Sequence, residues 1–288
     1  MKVGIVGQRG NTRATSLVGD LCDLLRDEGV AVEVDEATRK EYDRQEDCGE
    51  EELAESRPPA VPIEAMAETD LMVSVGGDGT FLFVARGAGT TPIMGINLGE
   101  VGFLNAVPPE DARETVLEEV QRFRETGTVR TRELPRLSAH WDGLSLPPAL
   151  NEIVVQGPQR GRGNGLTIEI RVDGDRYASD HADGVLVATT TGSTAYNLSE
   201  GGPLVHPDVN GMVVTEMCGS TAMPPIVVDT DRTVSVRVDE AETAHVLSDG
   251  RRGETVRPPA RIDVDRAEES VFVAGPPLDF FTALGKLD

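Results

Sequence analysis

The sequence predicts an α/β domain built on a parallel sheet, followed by a β-rich domain and a short C-terminal helix. Strand-like and helix-like segments alternate up to about residue 126, which is the pattern of a parallel α/β sheet. After that point, short strand-like runs separated by glycine turns dominate. The amphipathic tail at 278–287 has too little partner surface of its own. We therefore predict an α/β domain at 1–126, a β-rich domain at 127–275, and a tail at 276–288 that packs back on the α/β domain.

Four short apolar segments of the first domain predict the strands of a Rossmann-like sheet: 2–6, 30–34, 71–75 and 92–97. The run at 71–75 is apolar or small throughout, as expected of a parallel strand that is covered on both faces. Amphipathic patterns predict helices at about 12–29, 80–86 and 110–123. Asn11 or Thr12 can cap the first helix. The acidic stretch 35–62 is expected to be a solvated loop or a short surface helix.

The second domain is predicted to be antiparallel, because glycine and Asp-Gly turns join several of its strands. Its expected strands are 127–134, 150–155, 166–172, 185–189, 212–217, 226–228, 233–238, 261–264 and 271–274.

The composition is strongly acidic, since 50 Asp and Glu residues against 27 Lys and Arg residues give a formal charge of -23. Such a charge repels nucleic acid and anionic lipid, so we expect neither as a partner. The only lysines are Lys2, Lys40 and Lys286, and the acids are spread along the whole chain. This pattern favours the cytoplasm of a halophile, where concentrated salt screens the self-repulsion.

The sequence also predicts a cytoplasmic protein without a membrane anchor. No stretch has the length and apolar character of a membrane span, and the N-terminus predicts a strand rather than a signal peptide. The cysteines Cys22, Cys48 and Cys218 fit no zinc or disulfide spacing, and we expect them to be reduced.

A glycine turn, Gly76-Gly77-Asp78-Gly79, joins the predicted strand at 71–75 to the helix that starts near Thr80. Glycines let backbone amides approach a ligand closely, and the start of a helix attracts anions, so a phosphate is the expected guest. A carboxylate beside phosphate is repelled unless it binds a metal or accepts a proton. A turn of this kind can also be purely structural. The functional interpretation is a phosphoryl-transfer site centred on Asp78, with the turn at 97–104 facing the same crevice.

The second domain holds three polar clusters, at Asn151-Glu152, at Asp183-Gly184 and at 189–196. The last combines hydroxyls, small residues and the aromatic Tyr196, which suits a flat base, whereas hydroxyls and carboxylates suit a ribose. Each cluster alone is also compatible with ordinary Ser/Thr turn chemistry. Together with the glycine turn, they favour a nucleoside polyphosphate held between the domains.

Further motifs follow in order along the chain: Asn97-Leu98-Gly99, Gly102-Phe103-Leu104, Gly201-Gly202-Pro203, Ser248-Asp249-Gly250 and Phe280-Phe281. With the turn and the clusters above, the chain resembles the NAD kinase family over nearly its whole length. Lipid kinases and phosphofructokinases carry turns similar to the glycine turn. The Thr191-Gly192-Ser193-Thr194-Ala195-Tyr196 motif in register with Asn151-Glu152 is specific.

The resemblance implies that the terminal phosphoryl group of ATP, or of polyphosphate, is transferred to the adenosine 2′-hydroxyl of NAD to give NADP. It implies that Asp78 accepts the proton of this hydroxyl, which is a poor nucleophile at neutral pH. Mg²⁺ or another divalent cation and the amides of the glycine turn would offset the phosphoryl charge. The family is usually oligomeric, so a homodimer or homotetramer is expected. Nucleotide binding is assigned to Gly76, Gly77, Gly79, Thr80, Asn97, Asn151, Glu152, His181, Asp183, Thr191, Ser193, Thr194, Ala195, Tyr196, Asn197, Leu198, Ser199 and Asp249.

The chain departs from the family pattern at several positions. Thr190 stands where the family usually has proline, Arg251 where glutamine is common, and His181 where the family often has a basic side chain. Residues 218–222 replace the usual Pro-His-Ser-Leu stretch, and residues 224–225 replace the Arg-Pro pair that follows it. These changes leave the phosphoryl-transfer motif intact but leave NAD affinity and the choice between NAD and NADH open, and the sequence does not specify the phosphoryl donor. Two alternatives therefore stand beside the NAD kinase: a kinase of the same fold acting on another nucleotide or polyol, and a silent paralogue that senses NAD(P).

Overall fold

A computed structural model of the chain describes residues 1–45, 57–99, 102–159, 161, 165–219 and 223–285. The chain forms two units, Met1–Leu134 with Val271–Asp288, and Pro135–Ser270. In chain order the strands are β1 (Lys2–Gly7), β2 (Ala31–Asp35), β3 (Ala60–Val61), β4 (Leu71–Gly76), β5 (Ile93–Asn97), β6 (Thr131–Leu134), β7 (Leu137–Trp141), β8 (Leu144–Ser145), β9 (Glu152–Gln156), β10 (Leu166–Val172), β11 (Asp175–Ala182), β12 (Gly184–Thr189), β13 (Met212–Met217), β14 (Ile226–Val228), β15 (Val234–Glu240), β16 (Ala244–Ser248), β17 (Arg252–Val256), β18 (Ala260–Arg266) and β19 (Val271–Ala274). The α-helices are α1 (Thr12–Asp27), α2 (Glu36–Gln45), α3 (Asp78–Gly87), α4 (Ala112–Thr126), α5 (Tyr196–Ser199) and α6 (Phe280–Leu284), and Ile63–Glu68 and Thr191–Thr194 are 3₁₀ helices.

The sheet of the first unit has the strand order β3-β2-β1-β4-β5-β19-β6. Neighbours from β3 to β19 are parallel, and only the edge strand β6 is antiparallel to its neighbour among the described pairs. The predicted parallel α/β sheet is therefore confirmed. The chain leaves β1 towards β2 on one side, while β4 and β5 lie on the other side. Ligands of such sheets bind at the carboxyl ends of the strands where the order reverses, which here is between β1 and β4.

The core of the first unit contains the apolar side chains of the sheet together with those of α1 and α4. Strand β4 is fully buried, as its apolar sequence predicts. On α1, Val18, Leu21 and Leu25 are buried at helical spacing. The side chain of Asn11 caps α1 by accepting from the amides of Arg13 and Ala14 at 3.1 and 3.3 Å, so the predicted cap is confirmed.

The C-terminal helix α6 packs on the first unit, as predicted. The ring of its buried residue Phe280 lies 6.0 Å from the ring of Phe103, centroid to centroid. This aromatic contact ties the end of the chain to the loop that follows β5.

One expectation about the first unit is corrected. The strands at 131–134 and 271–274, grouped with the β-rich part, pair with each other, and the strand at 271–274 also pairs with β5 in the parallel sheet. A strand pattern specifies which face is buried but not which sheet the strand joins, so the sequence could not assign them. The acidic stretch contains a helix at 36–45, which is one of the two expected forms, and a short strand at 60–61 that was not expected. Its clusters at 46–47 and 50–52, and Cys48, lie outside the described residues.

The second unit consists of two six-stranded sheets with the orders β11-β10-β15-β18-β7-β8 and β14-β13-β12-β9-β16-β17. Their strand pairs are antiparallel, as predicted, and buried side chains of both sheets form one core. The opposite face of β12 is also covered, because Leu186 and Ala188 lie in a second apolar cluster with Val205 and Tyr196. The segment that follows β12 therefore lies over its own strand. Among the described helices, none is both long enough and apolar enough to cross a membrane.

Candidate functional site

The glycine turn of the first unit opens at the carboxyl end of β4. Gly76 ends the strand, Gly77 precedes the helix, and Asp78 is the first residue of α3. A Cβ on Gly76 would lie 2.5 Å from the Thr80 hydroxyl oxygen and 2.9 Å from Cβ of Gln8, so a side chain cannot be accommodated there. A Cβ on Gly77 or Gly79 would meet no atom within 4 Å. This face of the turn is therefore open to a ligand. The N–H groups of the first residues of α3 point out of the helix at this end.

Asp78 is held by three consecutive backbone amides of the loop after β5. Its Oδ2 accepts from the amide of Phe103 at 3.1 Å, and its Oδ1 accepts from the amides of Leu104 and Asn105 at 3.1 and 3.3 Å. The side chain is half-buried. Because a carboxylate has about four acceptor positions, one remains on Oδ2 for an incoming donor. The carboxylate is thus fixed in place but still able to accept a hydrogen bond from a ligand.

The side chain of Asn105 and the backbone after Asn97 tie the loop after β5 to the glycine turn. Asn97 Oδ1 accepts from the amide of Gly99 at 2.9 Å, and Asn105 Nδ2 donates to the carbonyl of Gly76 at 3.0 Å. The carbonyl of Gly76 also accepts from the amide of Leu98 at 3.0 Å. The structure therefore brings Asn97 and the glycine turn together, as predicted. Sequence reasoning missed Asn105, although an amide directly after Gly102-Phe103-Leu104 was the available signal. Residues 100 and 101 of this turn lie outside the described residues.

In the second unit, a polar cluster forms where β9 begins and β16 ends. Asp249 accepts from three consecutive amides: its Oδ2 from Leu150 at 3.1 Å, and its Oδ1 from Asn151 at 2.7 Å and from Glu152 at 3.4 Å. The amide of Asp249 donates back to the carbonyl of Glu152 at 3.0 Å. Asp249 has a positive φ of 47°, which aspartate tolerates better than most residues. The structure thus unites Asn151, Glu152 and Asp249, all of which are buried.

Glu152 is a buried carboxyl group in this cluster. Its side chain is 5% exposed, it accepts from the amide of Tyr196, and its Oε2 has no hydrogen-bond partner among the described residues. Burial raises the pKa of Glu152 to about 8, and the charge of Asp249 acts in the same direction. The carboxyl group is therefore mostly protonated at neutral pH, so it can donate as well as accept a hydrogen bond.

Gly192 brings the segment after β12 against the same cluster. A Cβ on Gly192 would lie 2.0 Å from the carbonyl oxygen of Asn151, so only glycine fits. The Thr189 hydroxyl donates to the carbonyl of Leu150 at 2.7 Å and accepts from the amide of Gly192 at 3.0 Å. These contacts place the start of the Thr191–Thr194 helix beside Asn151.

Two of the predicted nucleotide-binding side chains in this segment are turned into the protein. The Ser193 hydroxyl donates to the carbonyl of Thr190 at 2.7 Å and accepts from the amide of Val205 at 3.1 Å. Asn197 donates to the carbonyl of Pro203 at 3.0 Å and accepts from the Thr215 hydroxyl at 2.8 Å. Both side chains are completely buried. The side chains that are at least partly exposed here are Thr191, Thr194, Ala195, Tyr196, Leu198 and Ser199.

Asp183 and His181 lie at the opposite end of β12. Gly184 pairs with Gln156, whereas Glu152 pairs with Ala188. Asp183 is therefore five positions from Glu152 along the paired strands, which is about 17 Å at about 3.4 Å per residue. The carboxylate of Asp183 accepts from the amide of Gly161 through both oxygens, at 3.1 and 3.0 Å. The structure does not bring these two residues to Asn151 and Glu152. Of the altered stretch 218–225, residues 220–222 lie outside the described residues.

Both units of the chain match domains of known proteins. Residues 3–122 match the ATP-NAD kinase N-terminal domain and residues 150–274 the ATP-NAD kinase C-terminal domain. The NAD kinase of Haloarcula marismortui is 56% identical over 288 residues, and that of Halobacterium salinarum is 54% identical over 293 residues, each alignment covering both chains completely. The crystal structure of an NAD kinase from Archaeoglobus fulgidus in complex with ATP is 26% identical, with a TM-score of 0.77 over 100% of this chain and 98% of that one.

Proposed function

The chain belongs to the NAD kinase family of phosphotransferases, and from this premise we propose that it transfers the terminal phosphoryl group of ATP to the adenosine 2′-hydroxyl of NAD, giving NADP. The observation that supports this proposal most is the fixed carboxylate of Asp78 at the open face of the glycine turn. Phosphoryl transfer needs an acceptor for the proton of the attacking hydroxyl, placed beside donors for the phosphate. Asp78 and the first amides of α3 meet both needs within one turn.

In this proposal Asp78 is the proton acceptor. The three loop amides hold its carboxylate in one orientation and leave one acceptor position on Oδ2. The attacking hydroxyl would donate to that position and lose its proton there as the new bond to phosphorus forms. The amides at the start of α3 would face the phosphate, where the helix dipole favours negative charge.

Mg²⁺ is expected to enter with the phosphates of ATP rather than in a protein cage. Among the described residues, no group of three or more His, Cys, Asp or Glu side chains is placed to hold a metal ion. Mg²⁺ usually keeps several waters and binds nucleotide phosphates with one or two carboxylates at most. The ion would supply positive charge to the phosphoryl group, and Asp78 is a carboxylate at the start of the same helix, α3.

The second unit is proposed to hold NAD. Asn151 supplies an amide that donates and accepts, and protonated Glu152 has the same double capacity, which suits ribose hydroxyls or a base edge. The partly exposed side chains Thr191, Thr194 and Tyr196 would line the pocket, whereas buried Ser193 and Asn197 would shape it from behind. The remaining expectations, a homodimer or homotetramer in a salt-rich cytoplasm, form part of the same proposal.

The test is NADP formation from NAD with ATP and Mg²⁺ in molar KCl, repeated with NADH and with polyphosphate. Asp78→Asn should lower kcat by roughly 10²–10⁴ while NAD still raises the melting temperature. The matched control is Asp111→Asn, because Asp111 is an exposed aspartate at the start of α4 whose side chain caps no amide. A full rate for Asp78→Asn would show that Asp78 is not the base. No NADP from the unchanged enzyme with any donor would refute the proposed reaction.

A further inference from the structure

A cavity of about 240 Å³ lies in the first unit at the carboxyl ends of β2 and β3. Its lining includes two cations, Arg9 and Lys40, one aromatic ring, Phe83, and three carboxylates, Asp35, Glu36 and Glu64. None of these residues belongs to the glycine turn. Sites that bury whole ligands usually measure roughly 300–1,000 Å³. This cavity can therefore receive one end of a nucleotide but not all of it.

The cavity is adjacent to the glycine turn. Arg9 belongs to the loop after β1, and this loop is held against the end of β4 because the amide of Gln8 donates to the carbonyl of Val75 at 2.8 Å. Phe83 lies five residues after Asp78 on α3, which is about 8 Å along the helix axis. A Cβ on Gly76 of the turn would lie 2.9 Å from Cβ of Gln8, the residue before Arg9, so a donor whose terminal phosphate is at Asp78 can reach the cavity along this loop. The cavity also flanks the point between β1 and β4 where the strand order reverses.

Arg9 is stacked over the ring of Phe83 inside this cavity, so the outer face of its guanidinium is the surface offered to a ligand. The guanidinium carbon of Arg9 lies 5.8 Å from the centroid of the Phe83 ring, within the range of a cation–π contact. Among the described residues, no carboxylate forms an ion pair with Arg9. A guanidinium plane and an aromatic ring both stack readily on a heteroaromatic base.

The charges of the lining distinguish the two ends of a phosphoryl donor. Three carboxylates against two cations leave the cavity negative, so a chain of further phosphates is disfavoured there. A nucleoside is neutral, and its ribose hydroxyls can donate to the exposed carboxylates of Glu36 and Glu64. We infer that the cavity receives the nucleoside end of the phosphoryl donor, with the base stacked on the guanidinium of Arg9, which the ring of Phe83 supports from behind. This inference rests on the proposed function, in which ATP is the donor.

The test compares ATP with inorganic tripolyphosphate, which carries the phosphates but lacks the nucleoside. Arg9→Ala and Phe83→Leu should each raise KM for ATP roughly tenfold, the usual effect of losing one base-stacking contact. The same variants should leave kcat, KM for NAD and inhibition by tripolyphosphate unchanged. Arg13→Ala is the control, since Arg13 is an exposed arginine on α1 that does not line the cavity. Arg9 is itself exposed, so its replacement tests the contact without disturbing the core.

Two results would overturn the inference. If the variants bind both ATP and tripolyphosphate more weakly and to the same extent, the cavity contacts phosphates. If the variants bind both compounds as well as the unchanged enzyme does, the donor does not enter the cavity. Binding can be measured without turnover as the shift of the melting temperature that ATP causes in the absence of NAD. A shift in the unchanged enzyme that shrinks in both variants supports the cavity even where no NADP forms, so the failure of the reaction and the failure of the inference are distinguishable.

Discussion

Glu152 should make the free energy of unfolding depend on pH, and glutamine at this position should remove that dependence. Burial raises the pKa of Glu152 from 4.5 to about 8 in the folded protein, so the folded state holds the proton more tightly than the unfolded chain. Below pH 4.5 the group is protonated in both states, and its contribution to stability is fully present. As the pH rises towards 8, the unfolded chain releases the proton while the folded chain keeps it, so unfolding becomes easier.

The size of this effect follows from the two pKa values. While only the unfolded chain is ionised, the free energy of unfolding falls by about 1.4 kcal/mol for each pH unit. Between about pH 5.5 and 7.5 the loss is therefore roughly 2.7 kcal/mol, which is a large share of the stability of an ordinary domain. Above about pH 8 both states are ionised, and the dependence on this group ends.

Urea unfolding of the unchanged protein and of Glu152→Gln measures this loss as a difference, in which the titration of groups that do not interact with Glu152 cancels. Glutamine keeps the shape of a protonated glutamate and an oxygen that can accept from the amide of Tyr196. The single tryptophan, Trp141, is buried on β7 of the same unit and reports unfolding by its fluorescence. The control is Glu254→Gln, because Glu254 is an exposed glutamate on β17.

A constant difference between the unchanged protein and Glu152→Gln across this pH range would refute the prediction, because it would mean that folding leaves the pKa of Glu152 unaltered. Salt tests the cause of the shift. Burial is the larger cause of the raised pKa, and dissolved salt does not reduce its effect, whereas salt partly screens the effect of the Asp249 charge. The pH dependence should therefore persist in molar KCl, and its disappearance there would show that charge repulsion, not burial, raises the pKa.

Two further predictions concern stability. Gly192→Ala should lower the free energy of unfolding by roughly 1–3 kcal/mol, because its Cβ would lie 2.0 Å from the carbonyl oxygen of Asn151. Gly79→Ala is the matched control, since its Cβ would meet no atom within 4 Å, and equal urea midpoints for the two variants would contradict the steric argument. Transfer from molar KCl to a buffer of low ionic strength should lower the melting temperature, because the formal charge of -23 is then unscreened. A melting temperature that does not change with salt would remove the support for a halophile.

Features that depend on a few neighbouring residues could be predicted from the sequence. The apolar run of β4 indicates a strand buried on both faces, and the glycines after it indicate an open turn before a helix. Asn11 was one of two predicted caps, with Thr12, and its position before α1 is sufficient to place its side chain on the first amides. In each case the residues that determine the structure are also the residues that form it, so no distant partner had to be known.

Features that depend on distant partners could not be predicted. The amides that hold Asp78 are 25–27 residues away, and those that hold Asp249 are 97–99 residues away. The same difficulty affects Ser193 and Asn197. A hydroxyl or an amide side chain can bind a ligand or the carbonyl of a loop equally well, and only the fold shows that these two bind Val205, Pro203 and Thr215.

Asp78 and Asp249 hold the two polar sites by the same arrangement, one in each unit. Each carboxylate accepts from three consecutive amides of a loop, at 103–105 and at 150–152. Hydrogen bonds to an ionised carboxylate are stronger than those between neutral groups. They are also at least partly buried, so concentrated salt weakens them much less than it weakens pairs of exposed charges. A strongly acidic protein in molar salt gains little from surface ion pairs, and we infer that its site geometry depends on carboxylate–amide contacts of this kind.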